Sequence, residues 1–304
     1  MDAAALRRGI VRRKKKDALF ALVGLAATLV GLITLLALLI DLAIDGVGRI
    51  NPGFLSNFPS RFPDKAGILS AWVGTAIVMF VTALSAVPLG VAAGVYLEEY
   101  APKNRLTSLI EINIANLAGV PSIVYGLMAL GIFVYKFNLG QSVITAGLTL
   151  ALLILPIVIM ATRESIRAIP SSIREAAFAV GATKWQMVRH HILPYSAGGI
   201  LTGVIIGLSR AIGESAPLIT VGALTFIAFL PPSPVTGSFP FINFEWLKSP
   251  YTVLPIQLFN WVSRPQKAFH LNAAAAGLVL MTMTLAMNGL AIAIRYRFRK
   301  RIKW

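Results

Sequence analysis

Within Ala197 to Leu230, a run of 34 residues that is otherwise uncharged, an arginine and a glutamate stand four places apart, Arg210 and Glu214. If a helix enters an apolar layer near Ala197, Arg210 lies about 20 Å in and Glu214 about 6 Å further. A charge at that depth costs about 2.5–3.5 kcal/mol on insertion scales, so such side chains turn to a bundle interior or a wet cavity. Two chemistries fit the spacing. The pair can form an i,i+4 salt bridge that fixes helix packing. Alternatively the guanidinium can serve an anion path, because its fork of donors matches two oxygens of phosphate or another oxyanion at once. Gly213 and Pro217 bracket the glutamate, and the proline removes the backbone bond to the carbonyl of residue 213, loosening the helix where a cavity would be needed. Gly199, Gly203 and Gly207 repeat every four residues on the same segment, a small-residue stripe that admits close approach of another helix.

Other reactive constellations are missing from the sequence. His190, His191 and His270 have no metal-ligand spacing, and neither HExxH nor a nucleophile elbow occurs, so no catalytic and no metal residue is assigned. Catalysis inside a membrane would want paired acids, whereas Glu214 is the only acid within any uncharged stretch. The chain has no glycine-rich phosphate loop either, so ATP chemistry would have to come from a partner.

The elements that must position Arg210 and Glu214 are membrane spans. Of 304 residues, 57% are hydrophobic and 13% charged, with mean hydropathy +0.76 and no cysteine, which excludes an ordinary soluble enzyme, a disordered regulator and a disulfide scaffold. About 20 apolar residues cross a bilayer core, and cutting the chain at its charges leaves Ala18 to Ile40, Leu69 to Leu97, Ile112 to Tyr135, Ser142 to Thr162 and Leu271 to Ile294, besides the segment with the charged pair. The second contains Pro88 and is expected to tilt or kink. Net charge is +16, concentrated in both tails and one internal loop. Six spans with both tails cytoplasmic put 20 Lys and Arg inside against 7 outside; seven spans would put the basic C-terminus outside and are rejected. The basic tail with Ala18 to Ile40 also has the form of a secretory signal, but the apolar segment is too long, so it reads as an uncleaved first span. In the external loop 231–270, the run Tyr251 to Val262 is too short to cross. With Trp246, Tyr251, Phe259 and Trp261 around it, it reads either as an interfacial or re-entrant segment or as an aromatic belt.

The cytoplasmic loop 163–194 predicts two short helices. Ser172 and Glu175 have capping-box spacing for a helix from Ile173, Gly181 closes it in the left-handed region, and Thr183 caps a second helix from Lys184 to about His191, ended before Pro194. Ile173, Ala176, Ala177 and Val180 share one side of the first helix, a small-residue surface open to close approach by another protein.

Glu175, Ala176, Ala177, Gly181, Leu193 and Pro194 resemble the EAA loop of permease subunits of binding-protein-dependent ABC importers, with His191 where a branched aliphatic is expected. Arg210-Ala-Ile-Gly-Glu-Ser-Ala-Pro-Leu218, Leu254-Pro-Ile-Gln-Leu-Phe-Asn-Trp-Val-Ser-Arg-Pro265 and Tyr96-Leu-Glu-Glu-Tyr-Ala101 resemble the phosphate permeases of the PstA family. The resemblance covers about residues 70 to 294 and implies an all-α, six-span polytopic protein with the type I ABC importer permease fold, in the inner membrane of a prokaryote. It implies that Glu175, Ala176, Ala177, Gly181, Leu193 and Pro194 couple to an ATPase, and that Arg210 and Glu214 line the substrate path. The implied partners are a homologous PstC-like permease subunit, two PstB-like ATPase subunits that use ATP and Mg, and a periplasmic or extracellular PstS-like phosphate-binding protein. No cofactor is expected in this chain.

The expected organisation is a basic tail at 1–17, a first helix and external loop at 18–68, a permease core at 69–294 and a basic tail at 295–304. The expected function is import of inorganic phosphate by alternating access. The rivals are a permease for sulfate or molybdate, a passive channel and an intramembrane enzyme, and a channel would need no ATPase-docking loop.

Overall fold

A computed structural model of the chain describes residues 3–235, 241 and 243–301; Pro240, Lys303 and Trp304 lie outside the described residues. In chain order the helices are α1 (Ala3–Gly46), α2 (Pro52–Ser56), α3 (Leu69–Val95), α4 (Arg105–Leu117), α5 (Ser122–Ala129), α6 (Val143–Arg167), α7 (Ser171–Ala179), α8 (Lys184–Met187), α9 (Leu193–Ile212), α10 (Ala216–Thr220), α11 (Leu254–Val262) and α12 (Lys267–Arg301). The π-helical turns Tyr96–Tyr100, Leu130–Lys136 and Val188–Ile192 extend α3 and α5 and join α8 to α9. Among the described residues, five uninterrupted helices are long and apolar enough to cross a membrane: Arg12–Arg49, Leu69–Tyr100, Val143–Arg167, Lys184–Ile212 and Lys267–Arg297.

The expected third span is not one straight helix. Arg105–Leu117 and Ser122–Lys136 meet at 107°, and only as a bent pair do they make a sixth crossing. Pro121 has no N–H to give the preceding turn and itself leaves the helical region (φ −55°, ψ 136°), so the corner falls at Gly119-Val120-Pro121 despite the apolar run around it. By contrast α3 continues through Pro88 and α6 through Pro156.

α3, α6 and α9 form the centre. Val78, Met79 and Val81 of α3, Leu150, Ile154 and Val158 of α6, and Ile200 and Val204 of α9 are buried together. Glycines set the spacing. A Cβ at Gly203 would collide with the side chain of Ala161, one at Gly199 with Ser165, and one at Gly207 would touch Ile154 and Val158, so the stripe on α9 is the face that meets α6. Gly90 and Gly94 meet Val158 and Thr162 in the same way, bringing α3 against α6.

Two ends of the bundle can be distinguished. The far end is closed by Phe54, Trp261 and Phe269, and by Arg49, which donates to Asn272 Oδ1 at 2.7 Å and to the carbonyls of Pro63, Asp64 and Ala66. α11 belongs to this end, where its Leu254 N–H donates to Thr75 Oγ1 at 2.9 Å. The run Tyr251 to Val262 is thus folded into the protein: Tyr251 and Trp261 are buried, which removes them from any aromatic belt, while Phe259 stays exposed. α7 and α8 form a knob at the opposite end, packed on Ile166, Ile169 and Ile192. α12 leaves the far end at Asn272 and reaches Thr202 of α9 through Arg295 Nη1 at 2.8 Å. α1 runs antiparallel to it, with Gly46 against Ala274 and Leu42 against Gly277, so the start of α1 and the end of α12 lie on the knob side.

Candidate functional site

α9 ends where the sequence places its charged pair. Gly213 is the C-cap, Arg210 occupies the last helical turn, and Glu214 lies just beyond the helix rather than within it, correcting the expectation of one helix through both. Gly213 (φ −93°, ψ −4°) and Pro217 in the first turn of α10 put the break at 213–215, the loosened position expected from the sequence. The helix dipole favours a cation at this end. Arg210 Nε and Glu214 Oε1 are 3.4 Å apart, with side chains 37% and 19% exposed. Among the described residues Glu214 is the sole hydrogen-bond partner of this guanidinium, which leaves both terminal NH2 groups free to donate. Such a fork takes a bidentate oxyanion.

Across from the break, Gly126 of α5 lies so close to Pro217 and Thr220 that a Cβ would collide with both. The neighbouring Tyr125 is buried. Its hydroxyl donates to Leu117 O at 2.8 Å, bracing the corner between α4 and α5 from inside. Nothing in the sequence reading singled out Tyr125 or Gly126, although the adjacent glycine and proline at 119 and 121 were the available signal.

At the knob, Gly181 has φ +81° and closes α7 as expected. Thr183 and Gln186 make a reciprocal capping box for α8, with Gln186 N–H donating to Thr183 Oγ1 at 3.3 Å and Thr183 N–H to Gln186 Oε1 at 2.8 Å. Ser172 does not cap α7; the helix begins at Ser171 after Pro170, whose fixed φ starts the turn without a side-chain bond. The second short helix does not stop before Pro194 either. It passes through the Val188–Ile192 π turn into α9, and Pro194 sits in the first turn of α9, where a missing N–H is tolerated.

The six coupling residues divide between two faces. Glu175, Ala176, Gly181 and Pro194 are exposed, Ala177 is buried against Met187 and Val188, and Leu193 is half-buried beside them. Val180, one of the four residues expected to share a face, is exposed with Ala176 while Ala177 is buried, and Phe178 and Trp185 add exposed apolar surface that the small-residue reading of α7 did not include.

Arg174, one place before Glu175, points the other way. It donates to Glu99 Oε1 through Nε at 3.0 Å and Nη2 at 2.8 Å, and to the carbonyls of Ile169 at 2.8 Å and Ile166 at 3.1 Å. Arg163, nearly inaccessible, lies between Glu98 at 3.6 Å and Glu111 at 2.7 Å, and Arg167 also reaches Glu98, at 3.0 Å. Sequence reading quoted Glu98 and Glu99 as part of a motif and missed these partners, which lie 65 to 75 residues away along the chain.

Comparison with known proteins decides the family: the model described as "Binding-protein-dependent transport system inner membrane component" matches residues 86–304. The chain belongs to this family. The phosphate transport system permease protein PstA of Mycobacterium leprae is 30% identical over 288 residues, covering 92% of this chain and 89% of that protein. A probable ABC transporter permease protein, YqgI of Bacillus subtilis, is 33% identical over 202 residues, 66% of this chain and 68% of its own. Among solved structures, a bacterial alginate ABC transporter in complex with an alginate-bound periplasmic protein overlays with a TM-score of 0.65 at 14% identity, over 93% of this chain and 96% of that one. The chain is therefore a multi-pass membrane permease subunit of an ABC importer with the type I importer permease fold, a transport subunit and not an enzyme. Membership implies a companion permease, an ATPase and a substrate-binding protein as partners.

Proposed function

We propose that this subunit moves inorganic phosphate across the cytoplasmic membrane by alternating access, with PstC-like, PstB-like and PstS-like partners. The observation that carries the reading is the open guanidinium of Arg210 at the break between α9 and α10, whose terminal nitrogens have no partner among the described residues. Relatives named as phosphate permeases over most of the chain support the choice of oxyanion. Glu175, Ala176, Ala177, Gly181, Leu193 and Pro194 belong to the coupling knob; the exposed members meet the ATPase, and Ala177 and Leu193 hold α7 and α8 on the bundle. ATP and Mg act in the ATPase subunits. The knob and both basic tails face the cytoplasm, and residues 231–270 face outward, a placement supported by the antiparallel run of α1 and α12. Reporters fused after Trp304 and inserted in 171–183 are expected on the cytoplasmic side, and one in 234–248 on the other.

The test is labelled phosphate uptake by the reconstituted complex, with sulfate and molybdate as competitors. Phosphate accumulation dependent on ATP and unaffected by excess sulfate or molybdate is expected. Preferential uptake of either competitor would reassign the substrate, and uptake without ATP would make the protein a passive channel.

A further inference from the structure

The knob needs a rigid connection to the spans if ATPase movement is to reach the substrate path, and beside its apolar packing on Ile166, Ile169 and Ile192 it has a directional tie. We propose that Arg174 and Glu99 are positioning residues that form this connection, tying α7 to the ends of α3 and α6, with Arg163 and Glu111 relaying the displacement to α4. The inference rests on the importer reading above and adds residues outside the exposed coupling surface.

Arg174 joins three elements with one planar group. Its two bonds to Glu99 hold the end of α3, and its bonds to the carbonyls of Ile166, in the last turn of α6, and of Ile169, just past it, hold the end of that helix. Glu99 keeps only 6% of its side-chain surface, so water does not compete well for the pair and salt screens it weakly. The neighbouring Glu175 is exposed, so consecutive residues of α7 divide the work between an outer partner and the bundle.

The π turn Tyr96–Tyr100 presents two adjacent acids to different partners: Glu99 faces α7, and Glu98 faces Arg163 and Arg167 of α6. Through Arg163 the chain of contacts continues to Glu111 of α4. Beyond the corner at Pro121, α5 lies against α10 at Gly126, next to the break that holds Arg210. A displaced α7 therefore pulls on every element that frames the path except α9, which it reaches directly through α8.

The test uses the complete complex in vesicles, reading phosphate moved per ATP hydrolysed. Glu99→Gln is expected to assemble, to hydrolyse ATP at the basal rate, and to move ~10-fold less phosphate per ATP. The chain has no cysteine, so Glu99→Cys with Arg174→Cys gives one addressable pair. This pair is expected to be uncoupled as made and to recover when joined by a short bifunctional thiol reagent. An unchanged ratio in Glu99→Gln, or an assembled cysteine pair that does not recover on joining, would overturn the tie. If Glu99→Gln does not assemble, the joined pair decides. A second readout does not depend on the substrate: nucleotide binding to the ATPase partner should change amide hydrogen exchange in 96–117 of the native complex and not in Glu99→Gln. The same change in both would also overturn the proposal. Failure of the native complex to take up phosphate, with the exchange result intact, would instead sink the substrate assignment alone.

Discussion

At the knob end Arg163 keeps 3% of its side-chain surface between two carboxylates and Arg174 commits Nε and both terminal nitrogens to fixed acceptors, whereas Arg210, at the far end of α9, keeps 37% and donates through Nε alone. The two sites are about 26 Å apart along α9, counted from Leu193 to Arg210. All three arginines are paired with glutamate, so the ion pair does not separate their roles; enclosure does, since Arg163 and Arg174 lie between fixed partners while the terminal nitrogens of Arg210 stay accessible without a partner among the described residues. A guanidinium whose acceptors are all internal holds elements in place, and its loss is felt as instability because buried partners lose their counter-charge. A guanidinium with an open fork contributes little to the fold and keeps its geometry for a ligand.

The comparison breaks first, if it is wrong, at Arg163. Arg163→Gln takes from Glu111 its cation and leaves Glu98 with Arg167 alone, and is expected to cost about 2 kcal/mol, less than for a fully buried pair because both carboxylates are partly wet and one keeps a partner. Thermal unfolding in detergent would show it, and an unchanged midpoint would mean that the knob-end arginines are not structural. Gly181→Ala comes next, at about 1 kcal/mol, because its φ of +81° strains any side chain although nothing lies within 4 Å of the added methyl. The midpoint should fall slightly while the spans stay inserted. Glu175→Lys is expected to leave stability within about 0.5 kcal/mol, as for an exposed residue, yet to abolish uptake by repelling the ATPase. Normal uptake alongside normal ATPase association would remove Glu175 from the coupling surface. Arg210→Lys is also expected to change stability little, by under about 1 kcal/mol at this exposure. Uptake should fall in part, since a point charge keeps the attraction and loses the two-pronged geometry.

Local signals carried well from sequence to structure. Thr183, Gly181 and the stripe of Gly199, Gly203 and Gly207 each act through a few neighbouring residues, and each does what its chemistry predicts. Arg210 and Glu214 meet as their spacing suggests, although the helix ends between them. Ser172 loses its capping role to Pro170, two residues earlier, after which the helix has already begun. The corner at Gly119-Val120-Pro121 was concealed by apolar composition, which measures how much chain can sit in lipid and not whether that chain is straight. The partners of Glu98 and Glu99 were illegible for a different reason: charges so far apart in sequence meet only once α3 and α6 are packed, and a single chain carries no record of that pairing.

The central claim is that Arg210 serves the anion and not the fold, and removing both members of its pair tests this without stranding a charge. Arg210→Gln with Glu214→Gln is expected to assemble with its partners in normal amount and to hydrolyse ATP, while ATP-driven phosphate uptake into vesicles falls to background. Near-normal uptake by that assembled variant would contradict the account and leave Arg210 and Glu214 as a packing pair.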